Sequence, residues 1–131
     1  MKINRLVSLG KIIAIAILIL GIIHDIATFT PLIKGGLSCL SPGDFNAVIY
    51  MSLICGTSFI LSGVVLVLLL QKVEQFVFLT PTILLLGMFL AASGILSIVY
   101  MFDNPFAWIA LILNLSMFII AIALKLKLDN K

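Results

Sequence analysis

Residues 45–71, FNAVIYMSLICGTSFILSGVVLVLLLQ, contain no charged side chain and are bounded by Asp44 and Lys72. A helix needs about 20 mostly apolar residues to cross the hydrocarbon core of a bilayer. This stretch exceeds that length, so it predicts a transmembrane helix and thereby decides the fold class.

Three other apolar runs lie outside this stretch. Residues 75–102 and 104–124 carry no charge, and the run 12–33 is interrupted only by His24 and Asp25. We therefore predict an all-α integral membrane four-helix bundle, with residues 1–131 forming a single transmembrane domain. Its helices are expected at about 6–30, 44–71, 76–102 and 105–126.

The composition supports a membrane protein and argues against a soluble one. The chain is 63% hydrophobic and only 10% charged, whereas soluble domains are about half apolar and a quarter charged. A chain this short has too much surface for its volume to hide so many apolar side chains from water. The net charge of +3 gives no reason to expect nucleic acid as a partner.

The basic residues predict the orientation of the spans. Seven of the eight lie before or near the start of the first span, between the second and third, or near or beyond the end of the fourth: Lys2, Arg5, Lys11, Lys72, Lys125, Lys127 and Lys131. Basic residues near span ends stay in the cytoplasm, so both termini are predicted to be cytoplasmic. A cleaved signal peptide is the alternative for the first span, but no small-x-small cleavage site follows its apolar run.

The stretch GIIHDIATF, residues 21–29, contains the only histidine of the chain next to an acid. Gly21, His24, Asp25 and Thr28 are spaced 0, 3, 4 and 7 and so share one helix face. Ionisable groups inside a membrane are costly and usually face the bundle or a wet cavity. If the helix ends near Thr30, His24 lies about 9 Å inside that end.

Polar groups of two other spans are expected at the same depth. Asn46 and Tyr50 lie at the start of the second span, and Tyr100 lies at the end of the third. One hypothesis is an outward-facing pocket in which His24 carries a proton or binds a ligand and Asp25 is a charge partner. Asp25 would lower the cost of its burial by accepting a hydrogen bond from Tyr50 or Tyr100, or by becoming protonated. The other is that all these groups are interfacial and serve only orientation and packing.

Small residues indicate where helices pack. Close backbone approach at small residues holds membrane helices together, and glycines seven apart share a face. The candidate packing residues are Gly21, Gly56, Gly63, Gly87 and Gly94. Asn114 lies near the middle of the fourth span, where we expect it to form a hydrogen bond between helices or a dimer contact.

No metal site, cofactor or catalytic residue is predicted. A zinc site needs three or four ligands, and the chain has one His and two separated Cys. It contains no catalytic triad and no phosphate-binding loop. The expected partner is the lipid bilayer, with a homodimer or another membrane protein as a further expectation.

The chain resembles a loose group of small bacterial four-helix inner-membrane proteins whose first helix carries Gly-x-x-His near its outer end, here Gly21-x-x-His24. The resemblance implies a multi-pass protein of the bacterial inner membrane and no particular activity. The expected function is accessory, sensing or small-solute handling. The alternative is a membrane enzyme or cofactor carrier acting on a lipid-soluble substrate such as a quinone.

Overall fold

The computed structural model describes residues 2–129, without the side chains of residues 32 and 33. These residues form helices and turns and contain no strand, which confirms the all-α class. The helices are α1 (Ile3–Thr28), α2 (Pro31–Gly36), α3 (Pro42–Lys72), α4 (Thr80–Tyr100) and α5 (Pro105–Asp129), with a 3-10 turn at Val77–Leu79 before α4. Within this range, four helices are long and apolar enough to cross a membrane, and they match the four predicted spans to within a few residues.

Proline fixes the end of α1, which stops at Thr28 instead of the predicted residue 30. Thr30 has extended backbone angles, φ −75° and ψ 154°, because the ring of a following proline disfavours the helical conformation. Pro31 then begins the short helix α2, since its missing N–H is tolerated in a first helical turn.

Side-chain caps begin α3 and α5. Ser41 Oγ accepts a hydrogen bond from Asp44 N at 3.3 Å and donates one to Asp44 Oδ2 at 2.6 Å, which caps the start of α3. Asn104 Oδ1 accepts a hydrogen bond from Phe106 N at 2.9 Å as α5 begins at Pro105.

The long helices form two hairpins. Helix α1 packs along α3, and α4 packs along α5. Contacts between α1 and α5 join the two hairpins, whereas α3 and α4 touch far less. Each long helix contributes a fully buried side chain to the shared core: Ile17, Leu66, Leu90 and Met117.

The predicted glycines lie at the contacts within each hairpin. A methyl group on Gly63 would lie 2.7 Å from the carbonyl oxygen of Ala14 in α1. Methyl groups on Gly87 and Gly94 would lie 3.2 Å from Phe118 Cα and 3.0 Å from Leu111 Cα, both in α5. The α1–α3 contact is therefore the tighter of the two.

The basic segments gather at one end of the bundle. The space beside Gly10 is bounded by Leu70 and Ile120, so the start of α1 lies beside the ends of α3 and α5. The opposite end holds residues 29–41 and 101–104, and we call it the loop end.

Candidate functional site

The helix face predicted from GIIHDIATF is turned toward α3. Gly21 and Thr28 are buried, and His24 and Asp25 are partly buried. The four residues follow the 3.6-residue period of α1 and therefore form one polar strip within its contact with α3.

Helices α1 and α3 are in close backbone contact at Gly21 and Gly56. A methyl group on Gly21 would lie 2.6 Å from Gly56 O, 2.8 Å from Ile60 N and 2.9 Å from Ile60 Cγ1. Two of these three neighbours are backbone atoms, which cannot turn aside as a side chain can. Glycine at position 21 is therefore what allows the polar strip to reach α3.

His24 and Thr28 meet one hydroxyl of α3. Ser52 Oγ lies 3.1 Å from His24 Nε2 and 2.7 Å from Thr28 Oγ1. Thr28 Oγ1 also donates to His24 O at 2.9 Å. The imidazole ring lies 5.4 Å, centre to centre, from the ring of Phe106 in α5, so His24 occupies the space between α3 and α5.

Asp25 contacts a different part of the surface of α3. Thr57 Oγ1 donates to Asp25 Oδ2 at 3.3 Å. Asp25 Oδ1 is buried and has no hydrogen-bond donor among the described residues. It fills the space above Gly56, where a methyl group would overlap it.

The neighbouring ionisable groups therefore form two half-sites. Their partners Ser52 and Thr57 are five residues apart on α3, which corresponds to directions about 140° apart around that helix. His24 lies on the α5 side of the α1–α3 contact, and Asp25 lies at its other edge, beside the exposed Thr57.

The partners expected from the sequence lie elsewhere. Asn46 is exposed, and the side chains of Tyr50 and Tyr100 are 63% and 81% exposed. Neither tyrosine donates to Asp25, so the expectation on this point was wrong; Thr57 is the donor. The reason is the rotation of the helices: α3 brings the hydroxyl of Thr57 to Asp25, whereas both tyrosine side chains stay exposed.

Tyr50 does share a shallow groove with Thr57. The groove has a volume of about 390 Å³ and runs along the outer surface of α3. Its walls are formed by Tyr50, Leu53, Ile54, Thr57, Ser58 and Leu61. It brings solvent or lipid up to the threonine that holds Asp25.

Ser52 and Thr57 were not among the site residues predicted from the sequence. Ser52 lies four residues before Gly56 and marks the same helix face, so this spacing was the available signal. A hydroxyl in a helix can bind a neighbouring helix or the backbone of its own helix, and the sequence alone does not distinguish these cases. Ser58 is an example of the second case, because it donates to Ile54 O at 2.7 Å.

Asn114 lies in the core rather than on the surface. It is fully buried, and neither Nδ2 nor Oδ1 has a hydrogen-bond partner within residues 2–129. The expected hydrogen bond between helices is therefore not formed by the described residues. A second copy of the chain would not reach this side chain in the folded bundle.

The polar groups of the two half-sites are available mainly as hydrogen-bond acceptors. Asp25 Oδ1 lacks a donor, and among the described residues the carboxylate has no ion pair. No group of three or more His, Cys, Asp or Glu in residues 2–129 is arranged to hold a metal ion. An anion would meet the carboxylate without a compensating positive charge, so the arrangement suits a donor or a cation.

No protein-family profile, curated protein or solved structure matches the chain. The geometry of the two half-sites is therefore the basis for the function proposed for this chain.

Proposed function

We propose that this chain is a multi-pass protein of the bacterial inner membrane, with both ends in the cytoplasm, that senses or handles a small solute at Asp25. The solute would carry a positive charge or a hydrogen-bond donor. The observation that carries this proposal is the buried Asp25 Oδ1 with no donor among the described residues.

Insertion into a membrane is supported by the outer surface of the bundle. Each long helix exposes a large aliphatic side chain by more than 60%: Ile12, Leu61, Leu85 and Ile119. Soluble monomers rarely expose apolar surface on this scale. Lipid would cover it, and the helices satisfy their own backbone groups as that environment demands.

The buried Oδ1 of Asp25 lacks a partner within residues 2–129. Leaving a buried polar group without a hydrogen bond costs about 1–3 kcal/mol, and Thr57 supplies one hydrogen bond to the other carboxyl oxygen only. An ammonium group would supply the missing hydrogen bond at Oδ1. In the unliganded protein, the unpartnered Oδ1 raises the free energy of the folded state. A ligand that donates to Oδ1 would remove this cost, and its affinity would rise accordingly.

The position of Asp25 favours sensing over simple storage. Its carboxylate lies above Gly56, next to the close contact between the backbones of α1 and α3. A ligand at Oδ1 would therefore alter the spacing of these helices, because the contact has no spare room. A change in spacing is a signal that an accessory protein could pass to a partner in the membrane.

Reporter fusions test the proposed orientation. A reporter that works only in the periplasm should be inactive when fused after Lys131 and active when inserted after Gly36, since the basic end is proposed to be cytoplasmic. A cytoplasmic reporter at the same two positions should give the opposite pattern and serves as the control. Periplasmic activity at Lys131 would rule out four spans.

Thermal unfolding in nanodiscs tests the ligand class. Methylammonium should raise the unfolding temperature of the wild type, because a ligand at a hundredfold excess over its Kd stabilises the folded state by about 2.7 kcal/mol. Tetramethylammonium, which has no N–H donor, should have a smaller effect. Asp25→Asn should abolish the response to methylammonium.

Glu74→Gln is the matched control for this experiment. It makes the same change of charge at an exposed residue near the basic end of the bundle. We expect its response to methylammonium to equal that of the wild type. An equal response in Asp25→Asn would contradict the proposal.

The alternative is a membrane enzyme or cofactor carrier acting on a lipid-soluble substrate such as a quinone. The observation that favours it is the partly buried imidazole of His24 beside the Phe106 ring, because planar substrates stack on aromatic rings. An absorption band of a bound cofactor in the purified protein would support this alternative.

A further inference from the structure

We propose that His24 is held as the tautomer with its proton on Nε2, and that its free Nδ1 is a second binding site, for a hydroxyl-bearing aromatic ligand. This site is separate from the Asp25 carboxylate, and its experiment does not depend on the methylammonium response.

The tautomer follows from counting protons along three hydrogen bonds. Thr28 has one hydroxyl proton and donates it to His24 O, which only accepts. Ser52 must then donate its own proton to Thr28 Oγ1, 2.7 Å away. With that proton used, Ser52 Oγ can only accept from His24, so His24 Nε2 carries the hydrogen in their 3.1 Å contact.

Nδ1 is the ring nitrogen of His24 that remains available for a ligand. In a neutral imidazole one nitrogen donates and the other accepts, so Nδ1 presents a lone pair. The His24 side chain has its one side-chain hydrogen bond among the described residues at Nε2, and the residue is only partly buried. A ligand that reaches His24 therefore meets an acceptor.

The surroundings of His24 limit the class of ligand. The Phe106 ring lies 5.4 Å from the imidazole at an angle of 37° and forms an aromatic wall beside it. A phenol-like compound can pack on this ring while its O–H donates to Nδ1. A quinone presents only carbonyl acceptors, so a lone pair on Nδ1 would bind the reduced hydroxyl form in preference to the oxidised form.

Nitrogen NMR of the ring tests the tautomer directly. Because the chain has one histidine, ¹⁵N-histidine labelling in nanodiscs gives the signals of His24 alone. We expect protonated Nε2 and unprotonated Nδ1 in the wild type. Thr28→Val should raise the Nδ1–H population, because it frees the Ser52 proton to be donated to Nε2.

Thr57→Val is the control, since Thr57 bonds Asp25 and not this chain of hydroxyls. It should leave the tautomer unchanged. A wild-type ring with a proton on Nδ1 or on both nitrogens, or a Thr28→Val ring identical to the wild type, would overturn the assignment.

Phenol and its methyl ether, anisole, test the binding site in the same sample. The two probes share a ring, but only phenol has a donor. We expect phenol to shift the Nδ1 signal in a saturable manner and anisole to leave it in place. Equal shifts from both probes, or none from phenol, would overturn the site whether or not Asp25 binds methylammonium.

Discussion

A Gly21→Ala protein is expected to unfold at a markedly lower temperature than the wild type. The added methyl group would lie 2.6 Å from Gly56 O and 2.8 Å from Ile60 N, so α1 and α3 would have to move apart. Overpacking of this kind costs about 1–3 kcal/mol. The upper part of that range is expected because backbone atoms of α3 form most of the obstacle.

The matched control is Gly36→Ala in α2, where an added methyl group meets nothing within 4 Å. Gly87→Ala is an intermediate case, since its closest contact is 3.2 Å. The unfolding temperatures in detergent should therefore fall in the order Gly36→Ala, Gly87→Ala, Gly21→Ala. Equal stability of the Gly21 and Gly36 variants would contradict the close contact of α1 and α3.

The second large effect is a gain in stability from Asn114→Leu. The amide of Asn114 is fully buried and has no partner among the described residues. Leaving such a group unsatisfied costs about 1–3 kcal/mol. Leucine branches at the same carbon and removes the polar atoms, so the variant should resist denaturation by SDS better than the wild type.

Asn46→Leu is the control, because Asn46 is exposed at the start of α3 and surface substitutions change stability by less than about 0.5 kcal/mol. Asn114→Val, with a smaller side chain, separates the loss of the amide from crowding. If both Asn114 variants lose stability, the amide makes an interaction that the described residues do not provide.

The sequence predicted the four long apolar helices well because their composition is distinctive. A run of about 20 apolar residues is hard to mistake, and Pro31 and Pro105 mark the places where helices end or begin. The face formed by His24 and Asp25 was also predictable, since residues three and four apart must share a side of α1.

The partners of that face were not predictable in the same way. The position of a residue along a span gives its depth in the bundle, but not the direction in which its helix is turned. Tyr50 and Ser52 have similar depths, yet Ser52 contacts α1 and Tyr50 is exposed. The rotation of α3 is set by where Gly56 and Gly63 let it approach α1, a long-range property of both helices together.

The pairing of the helices has a consequence for the order in which the protein is made. Helix α1, the first to be synthesised, contacts α5, the last, at both ends: Gly10 lies beside Ile120, and His24 lies beside Phe106. During translation the first hairpin can close as soon as α3 has emerged, but one side of His24 stays uncovered until the ribosome completes α5. A ribosome stalled within α5 should therefore leave a nascent chain with α1 and α3 already paired and His24 still uncovered on the side that α5 occupies.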